Sequence, residues 1–410
     1  MKKETRPIVV IAGLTFLAMF NLTFIVPSLK EFIIDGYGST QTVASLFVTV
    51  EMVAYIIFGV VWGAVSDMRG ERRIFIVIGF FGSALLYYTM SLAPTVEVLL
   101  ALRFVQGALT VMAWSLLMTI ALDIAHTHSY GAAMGIVGSG LALGIGFGAP
   151  IGGLVGDIGP LYPLYVASAL FVAAAVAAFV FVKDVPIRNK PESIVDSIRC
   201  VAKDRRVLPP LLFGFAERFS AGYLVFLLPL YLAYEFGAEP SERGMYLAAF
   251  LIPFALLQYP FGKLSDRHSR VWMLAVGGFA YAAMLAFLGY VGQAGMVVLM
   301  MSSGTVAAML LPASLGLLGD LAPKGEHATY MGGFNAMGSL GFAVAPPLAT
   351  VLSEWAGYPA SLAAGGAIVA ATVALSLPFM RWTSERARPR AHRPGDKGEA
   401  EQAHAHGRAP

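Results

Sequence analysis

Charge is scarce in this chain, and cysteine almost absent. Only 13% of the 410 residues are charged, about half the share of an average soluble domain. Against that, 57% are hydrophobic and the mean hydropathy is +0.71, which excludes an ordinary water-exposed surface. The single Cys200 excludes an intrachain disulfide. No GxxxxGK[ST] phosphate loop occurs, so ATP hydrolysis within the chain is not expected. No HExxH, no CxxC, no buried histidine cluster and no Ser/His/Asp grouping stands out, so the expectation is a non-enzyme without metal or organic cofactor. A net charge of +3 points to no nucleic-acid partner.

The apolar residues gather in long runs. Stretches of about 20 residues almost free of charge cross a hydrocarbon core about 30 Å thick, and such spans must be helices, because lipid offers backbone amides no partner. Twelve are expected, near 8–29, 43–65, 74–93, 96–124, 131–156, 162–182, 208–234, 241–263, 271–291, 294–319, 329–352 and 359–381. The fold class is all-α integral membrane. The first run follows Met-Lys-Lys-Glu-Thr-Arg, but its length and lack of a small-residue cleavage site argue against a removed signal peptide.

Charge placement orients the spans. With alternating helices and a cytoplasmic N-terminus, the inner side receives Lys2, Lys3, Arg6, the cluster around Arg72, seven basic residues between Lys183 and Arg206, then Lys263, Arg267, Arg270, Lys324 and the basic tail. The outer side keeps Lys30 and Arg243 against Asp35, Glu97, Asp157, Glu235, Glu239, Glu242 and Glu354. Both termini are therefore expected in the cytoplasm of a cell that carries the protein in its inner membrane.

The longest connection divides the helices six and six. Residues 1–182 form one expected half, 183–207 a cytoplasmic linker with a short amphipathic helix, 208–381 the second half, and 382–410 a tail too poor in large apolar residues to fold. An offset of 197–199 residues superposes Gly63 and Asp67 on Gly262 and Asp266, Gly107 on Gly304, Asp123 on Asp320, and Gly144 on Gly341. The halves are expected to be pseudo-symmetric.

The loop after the second span reads Gly63-Ala-Val-Ser-Asp67-Met-Arg69-Gly70-Glu-Arg72-Arg73. It resembles motif A, the cytoplasmic signature loop of the major facilitator superfamily. Met68 and Glu71 stand where basic residues are usual; in the second copy Asp266, Arg267 and Arg270 fit, and Ser269 replaces the glycine. The resemblance extends over residues 8–381 and implies the major facilitator fold, a monomer that binds a small-molecule substrate in the bilayer and draws on a proton gradient. It also implies that Asp67 and Arg72 help latch the cytoplasmic side in one conformation, through charge-assisted bonds. Topology alone explains the arginines but not Asp67.

Two further resemblances refine this. Arg103-Phe-Val-Gln106-Gly107 is similar to motif B of proton-coupled members. Arg103 lies about seven residues into its span, roughly 10 Å below the outer boundary, where a buried charge marks a functional site with a partner. Glu51, at similar depth in the second span, is the expected partner; a fixed structural pair is the other reading. The fifth span carries "GIGFGAPIGG", similar to the antiporter motif C, with Ala149 in the usual proline position followed by Pro150. Gly144, Gly148, Gly152 and Gly153 let another helix approach closely, a feature that lipid-buried packing calls for as readily as export does.

A transporter of two halves holds its substrate near the bilayer midplane. Glu217 lies about nine residues, or roughly 14 Å, into the seventh span. Its neighbour Arg218 is as deep, and since successive helical residues point about 100° apart, the two are expected to face different ways. Asn21, Gln106, Tyr223, Gln258 and Asn335 are further polar residues in spans, each also explained by an interhelical hydrogen bond; Trp114 and Tyr259 are candidate pocket aromatics. A carboxylate that takes either a proton or a cation exchanges one for the other. The expected function is proton-coupled efflux of small amphipathic compounds by alternating access. The alternatives are proton symport of an organic acid clamped by Arg103 or Arg218, and a scaffold that moves nothing.

Overall fold

The computed structural model describes residues 5–69, 71–124, 130–184, 204–322 and 327–384. Twelve helices run through them: α1 Thr5–Phe24, α2 Gln41–Arg69, α3 Arg73–Met90, α4 Val96–Ile124, α5 Tyr130–Gly156, α6 Tyr162–Phe181, α7 Leu208–Phe236, α8 Pro240–Arg267, α9 Arg270–Phe287, α10 Gln293–Leu321, α11 His327–Ala356 and α12 Tyr358–Ser384. Each contains a segment long and apolar enough to span a membrane. The described residues contain no β-strand.

The duplication is visible in the packing. In the first half α1 lies on α5, α2 on α4, and α3 on α6 and α4. The second half repeats this with α7 on α11, α8 on α10, and α9 on α12 and α10. The halves meet through a symmetric exchange, α5 against α8 and α2 against α11. α7 is the most enclosed, with 78% of its most apolar stretch buried, against 33% for α6.

Small residues permit these approaches, because lipid supplies no hydrophobic drive for one helix to seek another. A side chain at Gly144, Gly148 or Gly152 would meet the backbone of α1 at Phe16, Phe20 or Phe24, so one face of α5 lies flush on α1. Gly153, on another face, meets Pro240 and Ser241 at the start of α8 in the other half. The landmarks Gly107 and Gly304 do equivalent work, closing α4 onto α2 at Glu51 and α10 onto α8 at Phe250.

The first span is not one continuous α-helix. After Phe24 the chain tightens into a 3-10 turn, Val26–Ser28, then widens into a π-helix, Lys30–Asp35. α7 ends on Gly237 at φ +62°, a left-handed cap that glycine adopts without strain. α8 then begins with a capping box in which Glu239 and Glu242 each bond the other's backbone amide. Before α7 a 3-10 turn, Arg205–Val207, is capped by Asp204; residues 185–203, with nearly all of the expected amphipathic helix, and the tail from 385 lie outside the described residues.

Candidate functional site

Two elements of the first half bring the buried charges together. Arg103, on α4, is 3% exposed, and Glu51, on α2, 1%. Arg103 Nη2 donates to Glu51 Oε2 at 2.5 Å. Glu51 Oε1 accepts from the Tyr55 hydroxyl at 3.2 Å, one turn along α2. The other arm of the guanidinium, Nη1, donates to Gln106 Oε1 at 2.8 Å and to the Tyr87 hydroxyl of α3 at 3.1 Å. The ring of Phe47 lies 4.4 Å from the guanidinium carbon. Gln106 Nε2 passes the chain on to Thr110, which bonds Ser83.

This network borders the meeting of the halves. A narrow cleft is lined by Leu22, Ile25, Val26 and Leu29 after and within α1, Phe47, Val48 and Glu51 of α2, Arg103 of α4, Val225 of α7 and Phe342 of α11. Both charges thus face an apolar cleft to which each half contributes. Tyr55 and Trp114 pack ring to ring at 6.0 Å in an adjoining cluster with Met52, Val111 and Ala343.

The second half differs. Glu217 on α7 is 3% exposed. Its Oε2 pairs with Arg218 Nε at 3.2 Å. The two face different neighbours, Arg218 lying 34% exposed against Gly338 of α11, and its long side chain still reaches back to the Glu217 carboxylate. Tyr281 on α9 is fully buried beside Ser220 and Glu217.

The other candidates scatter. Asn21 is buried, donates to Leu17 within α1 and leaves Oδ1 unpaired. Tyr223 is engaged structurally, its hydroxyl bonded to Ser361 of α12. Gln258 is half-buried and Asn335 exposed. Tyr259 is 70% exposed beneath Lys263, outside any cleft described here.

At the loop after α2, the side chains of Gly63, Asp67 and Gly70, and of Asp266 in the second copy, lie outside the described residues. The rest of the loop is anchored within its own half. Asp184, just past α6, accepts from the backbone amides of Arg72 and Arg73 at 2.7 and 2.8 Å, capping α3 from a distance. Arg73 also bonds the Phe179 carbonyl, and Arg69 lies over Phe75. In the second copy Ser269 caps α9 locally, Arg270 pairs with Asp320 and bonds the Gly316 carbonyl, and Arg267 is exposed.

One region escaped sequence reasoning. Arg243 at the start of α8 is buried and holds both oxygens of Glu31, on the π-helix of the first half, at 2.7 and 2.8 Å. It also bonds the Pro27 and Ala238 carbonyls. Ser241 bonds Asp157, Thr42 bonds Glu354, and Gln41 bonds Tyr358, all across the halves at the same end. No pattern joins Glu31 to a residue 212 positions away.

The family model described as Major Facilitator Superfamily matches residues 11–216 and again 210–406. The chain belongs to the major facilitator superfamily. Among its relatives in this superfamily is the multi-drug resistance efflux pump PmrA of Streptococcus pneumoniae, 24% identical over 360 residues, 84% of this chain and 88% of the pump. An uncharacterized MFS-type transporter of Methanocaldococcus jannaschii is 27% identical over 288 residues, 68% of this chain and 73% of that one. The quinolone resistance protein NorA of Staphylococcus aureus is 27% identical over 136 residues, 32% of this chain and 34% of NorA. The superfamily fold is shared with the inward-facing, occupied form of a bacterial homolog to the human lysosomal transporter Spinster, at a TM-score of 0.78 and 14% identity, covering 94% and 98% of the two chains. This major facilitator chain is a multi-pass membrane transporter and not an enzyme.

Proposed function

We propose that this transporter exports small amphipathic, drug-like compounds in exchange for protons. The observation that carries the reading is the Glu51–Arg103 pair, nearly water-free and facing the apolar cleft between the halves. A buried ion pair is weak evidence for stability, and buried charge within a membrane is retained for function by default. Glu51 takes a proton in one state and returns to Arg103 in the other. Glu217, buried and paired with the half-exposed Arg218, serves as the acceptor for a cationic or dipolar substrate or for a second proton. Asp67 and Asp266, with the arginines beside them, act as cytoplasmic latches, and the α5 glycines set the pitch of α5 against α1 and α8. Resemblance to PmrA over 84% of the chain supports the outward direction.

Purified protein in liposomes with an imposed pH gradient tests this. Gradient-driven ethidium movement, collapsed by a protonophore, is the expected result; gradient-independent movement, or none, counts against it. One observation favours symport of an organic acid: a 115-residue segment, 28% of this chain, is 31% identical to a probable L-galactonate transporter of Escherichia coli. Accumulation of a labelled sugar acid with the gradient, without ethidium transport, would establish that reading instead.

A further inference from the structure

We infer that Tyr87 is a positioning residue that keeps Arg103 satisfied while Glu51 is protonated, making the pair a reversible switch rather than a fixed brace. This rests on the proposed role of Glu51 in proton uptake. A proton arriving at Glu51 Oε2 removes the counter-charge of a guanidinium that is 3% exposed. The net charge of the network rises by one, and a buried cation left without acceptors is costly.

The structure already supplies acceptors for one arm of the guanidinium, while Nε has none. Nη1 is held by the Tyr87 hydroxyl at 3.1 Å and by Gln106 Oε1 at 2.8 Å, while the Phe47 face stands 4.4 Å away. None of these uses Glu51. Tyr87 is itself fixed, fully buried on α3 and packed 5.5 Å from the Phe171 ring of α6. The groups facing Glu51 are Tyr55 on its own helix and Arg103 and Gln106 on α4, with Tyr87 behind the guanidinium. Removing the Tyr87 hydroxyl costs most in the protonated state, when Arg103 has no carboxylate. It also frees Arg103 to favour the charged carboxylate. Both effects make the proton harder to add, so its uptake moves to lower pH.

The test is an infrared pH titration of purified full-length protein, with the protonated-carboxyl signal of Glu51 assigned by its loss in Glu51→Gln. Tyr87→Phe, which keeps the ring and its packing, should titrate about one pH unit lower than wild type, the size of one hydrogen bond to a charged group. Tyr87→Phe with an unmoved midpoint overturns the inference while leaving Glu51 as a proton site. No signal lost in Glu51→Gln overturns both, since Glu51 then never binds a proton. A Tyr87→Phe protein that melts as wild type does but titrates lower separates positioning from packing.

Discussion

Arg103 and Glu51 face each other at 2.5 Å across the α2–α4 contact, and Gly107, one turn from Arg103, is what lets the two helices come that close. A methyl group at position 107 would meet the Glu51 backbone at 3.1 Å. The pair is thus built from a charge on each helix and a missing side chain between them. Glu51→Ala leaves a buried guanidinium without its counter-ion and should destabilise by about 3–5 kcal/mol, read as a lower Tm in detergent. Glu51→Gln, which keeps the shape and one acceptor, should lose much less. Equal losses would show that the carboxylate's charge, which both variants remove, is what the site requires, and not its shape.

Arg243 predicts the behaviour of the end at which α8 begins. Its bonds to Glu31 and Pro27 join the halves there, as Ser241–Asp157 and Gln41–Tyr358 do. The proposed alternation requires these to part. Glu31→Gln or Arg243→Gln should widen the distance between spin labels at the start of α2 and the end of α11, and the charge swap Glu31→Arg with Arg243→Glu should restore part of the closure. Unchanged distances in both single variants would remove this pair from the gate.

The two glycine faces of α5 should respond differently. Gly148→Val drives a side chain into the α1 backbone at Phe20, inside one half, and should cost about 1–3 kcal/mol of stability by overpacking. Gly153→Val pushes on Pro240 across the halves and should instead favour their parting at that end, with a smaller change in Tm. The comparison needs both melting curves and the α2–α11 distances.

Asp184 should matter locally. It caps α3 by accepting from the amides of Arg72 and Arg73. Asp184→Ala should speed exchange of those two amides about tenfold, the size of one lost hydrogen bond, while amides of α9, capped by Ser269, stay unchanged.

Asp204 supplies a pH-dependent increment outside the membrane. The hydrogen bond from Arg206, then its charge, holds the Asp204 carboxyl below the ordinary aspartate value, against the opposing effect of partial burial. A depressed carboxyl stabilises the fold above its unfolded pKa, and that increment is lost as pH falls through the folded one. The Tm difference between wild type and Asp204→Asn should therefore be steady near neutrality and shrink below about pH 4. Because Arg206 is largely exposed, the difference should be small.

Much of the architecture was legible because lipid imposes a coarse code. Length and hydropathy located the twelve spans, and an offset near 198 residues anticipated that Gly107 and Gly304 occupy matching helix crossings. Counting residues from the span ends placed Glu51 and Arg103 at one depth, and they are paired. Tyr87 was illegible because a tyrosine near a span end ordinarily marks only the interface. The contact between Glu217 and Arg218 was illegible because the 100° rule fixes where Cβ points, not where a flexible arginine ends. Glu31 and Arg243 meet only after the two halves dock, and no local pattern encodes that.

The most direct test of proton coupling at Glu51 measures two rates on one proteoliposome preparation: gradient-driven ethidium transport and gradient-free ethidium exchange. Glu51→Gln should abolish the first and leave the second near wild type, because exchange needs binding and alternation but no proton step. Gradient-driven transport that survives in Glu51→Gln would contradict the role assigned to the Glu51–Arg103 pair.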